Sequence, residues 1–175
     1  MDWNQQVFEL IDMRSFSNLW YWIALAVLWS TSSHWVLGVP FDLVQRARRK
    51  GGDAAEDVAD LVRINARRYL YIARVSGLWI TGLAGFALSV LLILGFFYAN
   101  EFCQAVFLLI APLTLVGLWS IRTAHAYERR APEGEALYRL LKWHRTGVQL
   151  VGIASIFVTA MWGMWQNMSI GALGG

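Results

Sequence analysis

Apolar and polar positions divide the chain into four long apolar stretches, joined by one very short link and two longer charged ones. The stretches run from about Leu19 to Val39, Leu70 to Ala99, Gln104 to Ile121 and Val148 to Trp165. Each is close to the roughly 20 residues that a helix needs to cross a hydrocarbon core about 30 Å thick, at about 1.5 Å per residue. The second is long enough to require tilt or a protruding end. Tyr98, Ala99, Asn100 and Glu101 alone link the second stretch to the third, which forces antiparallel neighbours. The expected fold is all-α: a polytopic four-helix membrane bundle with helical extensions beyond the bilayer. The pattern separates an interfacial segment (1–18), a four-helix domain (19–166) with charged loops at about 41–69 and 122–147, and a flexible tail (167–175).

Local signals refine these elements. Trp3, Val7, Leu10 and Ile11 fall at helical spacing in an acidic segment without a basic start. That pattern predicts a short amphipathic helix on the membrane surface rather than a secretory signal. Pro40 predicts a kink, with the first helix continuing to about Lys50. Gly51-Gly52 breaks the chain, and Asp53 with Glu56 three residues later resembles a capping box. No proline lies between Asp53 and Asn100, so the second span is expected to end one long helix that begins outside the bilayer. Pro132 suits the first turn of a helix leading into the fourth span. Pro112 should kink the third.

Composition supports the membrane reading. The chain is 57% hydrophobic and 15% charged, with a mean hydropathy of +0.44. Soluble domains average about 45–50% apolar and about 25% charged residues, so neither a soluble domain nor a disordered chain fits. A single cysteine excludes a disulfide framework, a cysteine-based zinc site and a self-contained iron–sulfur cluster. Charge then sets the orientation. Fourteen of the fifteen Lys and Arg residues flank the two long loops: Arg46 to Lys50, Arg63, Arg67, Arg68 and Arg74 on the first, and Arg122, Arg129, Arg130, Arg139, Lys142 and Arg145 on the second. Only Arg14 lies on the other side. The positive-inside rule places both loops in the cytoplasm and both termini outside. The net charge of +3 is therefore read as orienting the chain and meeting anionic lipid heads, not nucleic acid.

Candidate chemistry is sparse. Small residues recur at helical spacing: Ala26, Ser30, His34 and Gly38; Ala73, Gly77, Thr81, Gly85 and Ser89; Ser155, Thr159, Gly163 and Asn167. In lipid such stripes let helices approach closely, within one bundle or between subunits. Four helices cannot hide three such faces and also enclose a wide pore, so any pore would lie between protomers. The run Ser30, Thr31, Ser32, Ser33, His34 is polar on all sides of its helix, and a histidine within a span is a candidate site. With Arg74 and Arg122 it forms a candidate pore or polar contact. His125 and His144, at similar depth, are candidates for bis-histidine ligation of haem b, with Arg122 and Arg145 near its propionates. His34, His125 and His144 together are a candidate metal set. Most of the ten tryptophans form interfacial belts. Trp29 and Trp79 lie nearer mid-membrane, where packing is the expected role. There is no HExxH, GxSxG, P-loop or dinucleotide-binding glycine turn, so no enzyme and no bound cofactor is expected.

The stretches Val7 to Trp20, Ser32 to Asp42, Asp60 to Asn65 and Ser155 to Ala160 resemble a family of four-span alphaproteobacterial membrane proteins, often labelled as a component of the SufBCD iron–sulfur assembly complex. The resemblance covers most of the chain and implies no catalytic residues. It implies a multi-pass protein of the bacterial inner membrane. Cys103 departs from any cluster-carrying role, leaving a tethering role through the cytoplasmic extensions. The expected function is a non-catalytic accessory subunit, partnered by the bilayer, by itself or by another membrane or cytoplasmic protein. The alternatives are a small homo-oligomeric, anion-preferring channel or transporter, and a b-type haem protein.

Overall fold

A computed structural model describes residues 15–171. The expected amphipathic helix before Ser15, with Arg14, lies outside the described residues. After a 3-10 turn (Ser15–Ser17) come five α-helices: α1 (Leu19–His34), α2 (Phe41–Lys50), α3 (Asp53–Leu92), α4 (Glu101–Arg130) and α5 (Gly134–Gly171). A two-stranded hairpin, β1 (Trp35–Val36) and β2 (Val39–Pro40), joins α1 to α2. α3 with its terminal π turn, α4 and α5 are each long and apolar enough to cross a membrane.

The first apolar stretch departs from expectation. α1 stops at His34 after 16 residues, about 24 Å of helix. The chain does not run on through a kink at Pro40. It reverses in a two-residue turn, with Leu37 at φ 49° and Gly38 at φ 72°. Two positive φ values in succession define the turn whose twist matches paired strands. Gly38 therefore leaves the helical stripe assigned to it. A Cβ there would come within 2.9 Å of the Asn65 side chain, so the turn sits directly on α3. Leu37 holds its left-handed backbone with its side chain buried in the core.

Caps also differ from the sequence reading. Asn18 and Asn100 cap α1 and α4, their side chains accepting from the amides of Trp20 and Cys103 at 3.0 Å. Asp53 does not cap α3. It is the first helical residue, and Gly52 precedes it without a side-chain bond. Pro132 lies in the α4–α5 link, where Ala131 adopts the left-handed conformation and α5 begins only at Gly134. The expected long second helix is present, running unbroken for 40 residues. α4 passes through Pro112 without interruption. α5 continues to Gly171, beyond the expected start of the tail at 167.

The main core lies at the basic end. Val36, Leu37 and Val39 of the hairpin and Val44 and Ala47 of α2 pack on one face of α3. That face carries Val58, Val62, Ala66 and Leu70, each four residues apart. Ala124 of α4 and Leu137 and Leu141 of α5 close it. Arg145 lies over the Phe41 ring at 3.9 Å, and Arg48 pairs with Glu135 at 3.1 Å.

At the other end, α3 finishes in a π turn (Ile93–Phe97) before turning into α4. Gly95 sits so close to α4 that a Cβ would reach the Gln104 amide nitrogen at 2.9 Å. The Gln104 side chain donates to the Gly95 carbonyl at 2.8 Å and accepts from Trp162 at 3.0 Å and from Gln166. A π turn loosens the regular ladder, and this buried amide supplies partners between α3, α4 and α5. The Phe16 amide donates to Glu101 at 2.9 Å, which ties the 3-10 turn to the same end.

Candidate functional site

The small-residue stripes meet different fates. On α5 the stripe is filled from within. Gly152 faces the buried Trp29 ring, Gly163 faces Phe16, and Gly147 faces the Trp119 indole. A Cβ at these three positions would lie 2.8 to 3.2 Å from its nearest neighbour. Ser155 and Thr159 are buried beside them. Trp29 thus has the packing role expected of it, whereas Trp79 is 81% exposed.

On α3 the stripe is open. A Cβ at Gly77, Gly82 or Gly85 would meet nothing within 4 Å, and neither would one at Gly117 on α4. Ala73, Gly77, Thr81 and Gly85 line a cavity of about 590 Å³ between α3 and α4, facing Thr114 and Gly117. Contacts between the two helices mark both ends of this groove. Gly95 against Gln104 closes one end. At the other, Arg74 Nη2 lies 2.8 Å from both carboxylate oxygens of Glu128. Tyr69, Thr81 and Thr114 alone bring polar side chains to the walls. The Thr114 hydroxyl is spent on the Ile110 carbonyl at 2.9 Å. Ser89 lies beyond the cavity and bonds Gly85 O at 2.8 Å. With no acid, amine or imidazole in its walls, the groove is suited to contact rather than to acid–base chemistry.

The other candidate residues do not converge. Ser33 donates back to the Ser30 carbonyl at 3.0 Å, and its own carbonyl accepts from Arg145 at 3.3 Å. Ser30, Thr31 and His34 are exposed on α1, as is Ala26. His34 sits 3.6 Å from Asp42 at the α1–α2 junction. Among the described residues no hydrogen bond or ion pair joins this run to Arg74 or Arg122. The histidines also part company. His125 lies 3.8 Å from Glu128, whereas His144 is buried with Nδ1 3.0 Å from the Thr123 hydroxyl. His144 precedes the apolar stretch that begins at Val148, and burial lowers its pKa from 6.5 to about 4. Among the described residues no group of three or more His, Cys, Asp or Glu could hold a metal, so His34, His125 and His144 do not form one. Cys103 is free and partly buried.

Gln104 went unrecognised as a structural centre. Its signal in the sequence is a lone amide at the margin of an apolar stretch. No protein-family model, curated protein or solved structure matches this chain.

Proposed function

We propose that this chain is a membrane subunit without a catalytic centre of its own, which associates in the bilayer with a second copy through the α3–α4 groove. The observation that carries the reading is the open stripe. Lipid tails pack against leucine as readily as against glycine, so backbone bared along a helix favours a helix-sized visitor. The α5 stripe supports the comparison, since within this fold the same pattern is covered by bulky side chains. A second copy suits the groove because groove and ridge occur on one helix. Leu78, 88% exposed and three residues before Thr81, stands at the edge of the groove face of α3. A two-fold axis pairs each ridge with the other copy's groove, giving a closed, isologous contact.

In this reading α1 is a fourth span. At about 24 Å it is short, and the hairpin that follows it sits in the headgroup zone where the bilayer thins locally. The basic end faces the cytoplasm of a bacterial inner membrane, and both termini face the opposite side. The headpiece formed by α2 and the first half of α3 then stands in the cytoplasm, within reach of soluble proteins.

The test is the mass of the complex drawn gently from native membranes, for the natural chain and for a Gly77→Leu/Gly85→Leu variant. A homo-oligomer is expected for the first. The second should be a monomer of unchanged helicity, since the added side chains enter empty space in the single chain. A natural chain recovered as a monomer, or only with foreign subunits, contradicts self-association. So does a variant that assembles as before.

A further inference from the structure

A second cavity, on the adjoining face of α4 and sharing Leu118 and Ile121 with the first, has a different character. Leu115, Leu118, Arg122, His125 and Arg129 recur at intervals of three and four residues, so they share one face of α4. With Val151 of α5 they line an open cavity of about 1040 Å³. Trp119, its ring lodged against Gly147, forms part of the wall. The lining changes character along the helix. Leu115, Leu118 and Val151 are aliphatic; the basic side chains begin at Arg122, about 6 Å further along the axis from Leu118.

The cations here are uncommitted. Among the described residues neither Arg122 nor Arg129 has a hydrogen bond or an ion pair. Glu128 is the nearby carboxylate. Both its oxygens lie 2.8 Å from Arg74 Nη2, one is 3.8 Å from His125, and it does not line the cavity. In the basic cavity between α2 and α5, by contrast, both arginines are engaged, Arg48 by Glu135 and Arg145 by the Ser33 carbonyl and the Phe41 ring, which leaves Lys142 as its one cation without a partner among the described residues.

The geometry points to a binding site for one anionic phospholipid. Its phosphate lies between Arg122 and Arg129, with His125 as a further donor, and an acyl chain runs down Leu115, Leu118 and Val151. Free cations above and an aliphatic wall below match the two halves of such a molecule. A free phosphate or nucleotide has nothing to place on the lower wall. The inference rests on the membrane reading, and not on self-association.

The test reconstitutes the full chain in vesicles of phosphatidylglycerol and phosphatidylcholine in equal parts. Flotation scores insertion, and native mass spectrometry after gentle extraction counts the lipids retained on each chain. Phosphatidylglycerol should be retained in preference, and Arg122→Gln/Arg129→Gln should reduce that preference by about fivefold for each arginine removed. Arg67→Gln/Arg68→Gln, which removes the same charge from the exposed face of α3, should leave it unchanged. Equal retention of both lipids by the natural chain, or an equal fall in both variants, overturns the site and leaves only bulk attraction. Displacement of the lipid by inorganic phosphate alone overturns the assignment to a phospholipid. A chain that inserts but shows no preference refutes the site alone, whereas a chain that fails to float refutes the membrane reading and the site with it.

Discussion

Around the hairpin, α2 and the first half of α3, one continuous set of apolar side chains faces inward and the charges face outward, although Trp35, Leu61 and Ile64 remain exposed. Along the second half of α3 the order is inverted. In its most apolar stretch only 6% of the residues are buried, against 28% in that of α5. The two halves of α3 are one continuous helix, so local propensity does not distinguish them. The difference lies in the solvent each half is built for. The first half buries a four-residue apolar ladder against its own chain. The second presents apolar side chains all round and leaves its glycines uncovered, which is favourable only where lipid or another helix supplies the contacts.

The largest expected effect cuts the packed region. Leu141 is fully buried, so Leu141→Ala should cost about 2–5 kcal/mol in transfer and cavity terms. Leu83 is 70% exposed, and Leu83→Ala should change stability by less than about 0.5 kcal/mol. Denaturation of both variants in the same detergent checks the contrast. Similar losses would show that the second half of α3 is packed as tightly as the core at the basic end.

A smaller effect separates the covered glycines of α5 from the open ones of α3. Gly152→Leu drives a side chain into Trp29 and should cost about 1–3 kcal/mol through overpacking. Gly77→Leu enters open space and relieves the roughly 1 kcal/mol that glycine costs within a helix, so the single chain should be no less stable. Thermal melts of the two variants read the difference directly.

Much of this was legible in the sequence. Hydropathy located the apolar stretches, the proline-free run announced the long α3, and glycine spacing marked the stripes. Three things were not legible. Gly77 and Gly163 occur in similar small-residue patterns, and only the fold decides which is covered. The polar run from Ser30 to His34 followed by apolar Val36, Leu37 and Val39 reads as one long helix with a kink. A Leu-Gly turn lacks the Asn-Gly or Asp-Gly signature that would have announced the reversal. Gln104 matters because a π turn brings the Gly95 carbonyl to it, and no local pattern encodes that turn. The basic face of α4 was visible in its spacing, but it merges there with the many bases that flank the apolar stretches.

A separate expected effect concerns acid. His144 has a folded pKa near 4, below its ordinary 6.5. The unfolded chain therefore binds the proton more readily, and stability falls as pH drops from about 6.5 towards 4, with no further loss from this group below that. His144→Gln keeps a hydrogen-bonding partner for Thr123 and does not titrate. Melting temperatures between pH 7 and pH 4 should therefore fall more steeply for the natural chain than for the variant. Parallel slopes would mean that His144 is not the group being protonated.

The most direct measurement of the central claim is cross-linking in the membrane. Cys103 is the single cysteine, so Cys103→Ser gives a background without thiols. Into it go, one at a time, Thr81→Cys in the groove and Phe157→Cys on the exposed face of α5. Mild oxidation should yield a disulfide-linked dimer, twice 19.8 kDa, for Thr81→Cys and not for Phe157→Cys. A groove variant that stays monomeric, or equal dimer from both positions, would contradict self-association through the α3–α4 groove.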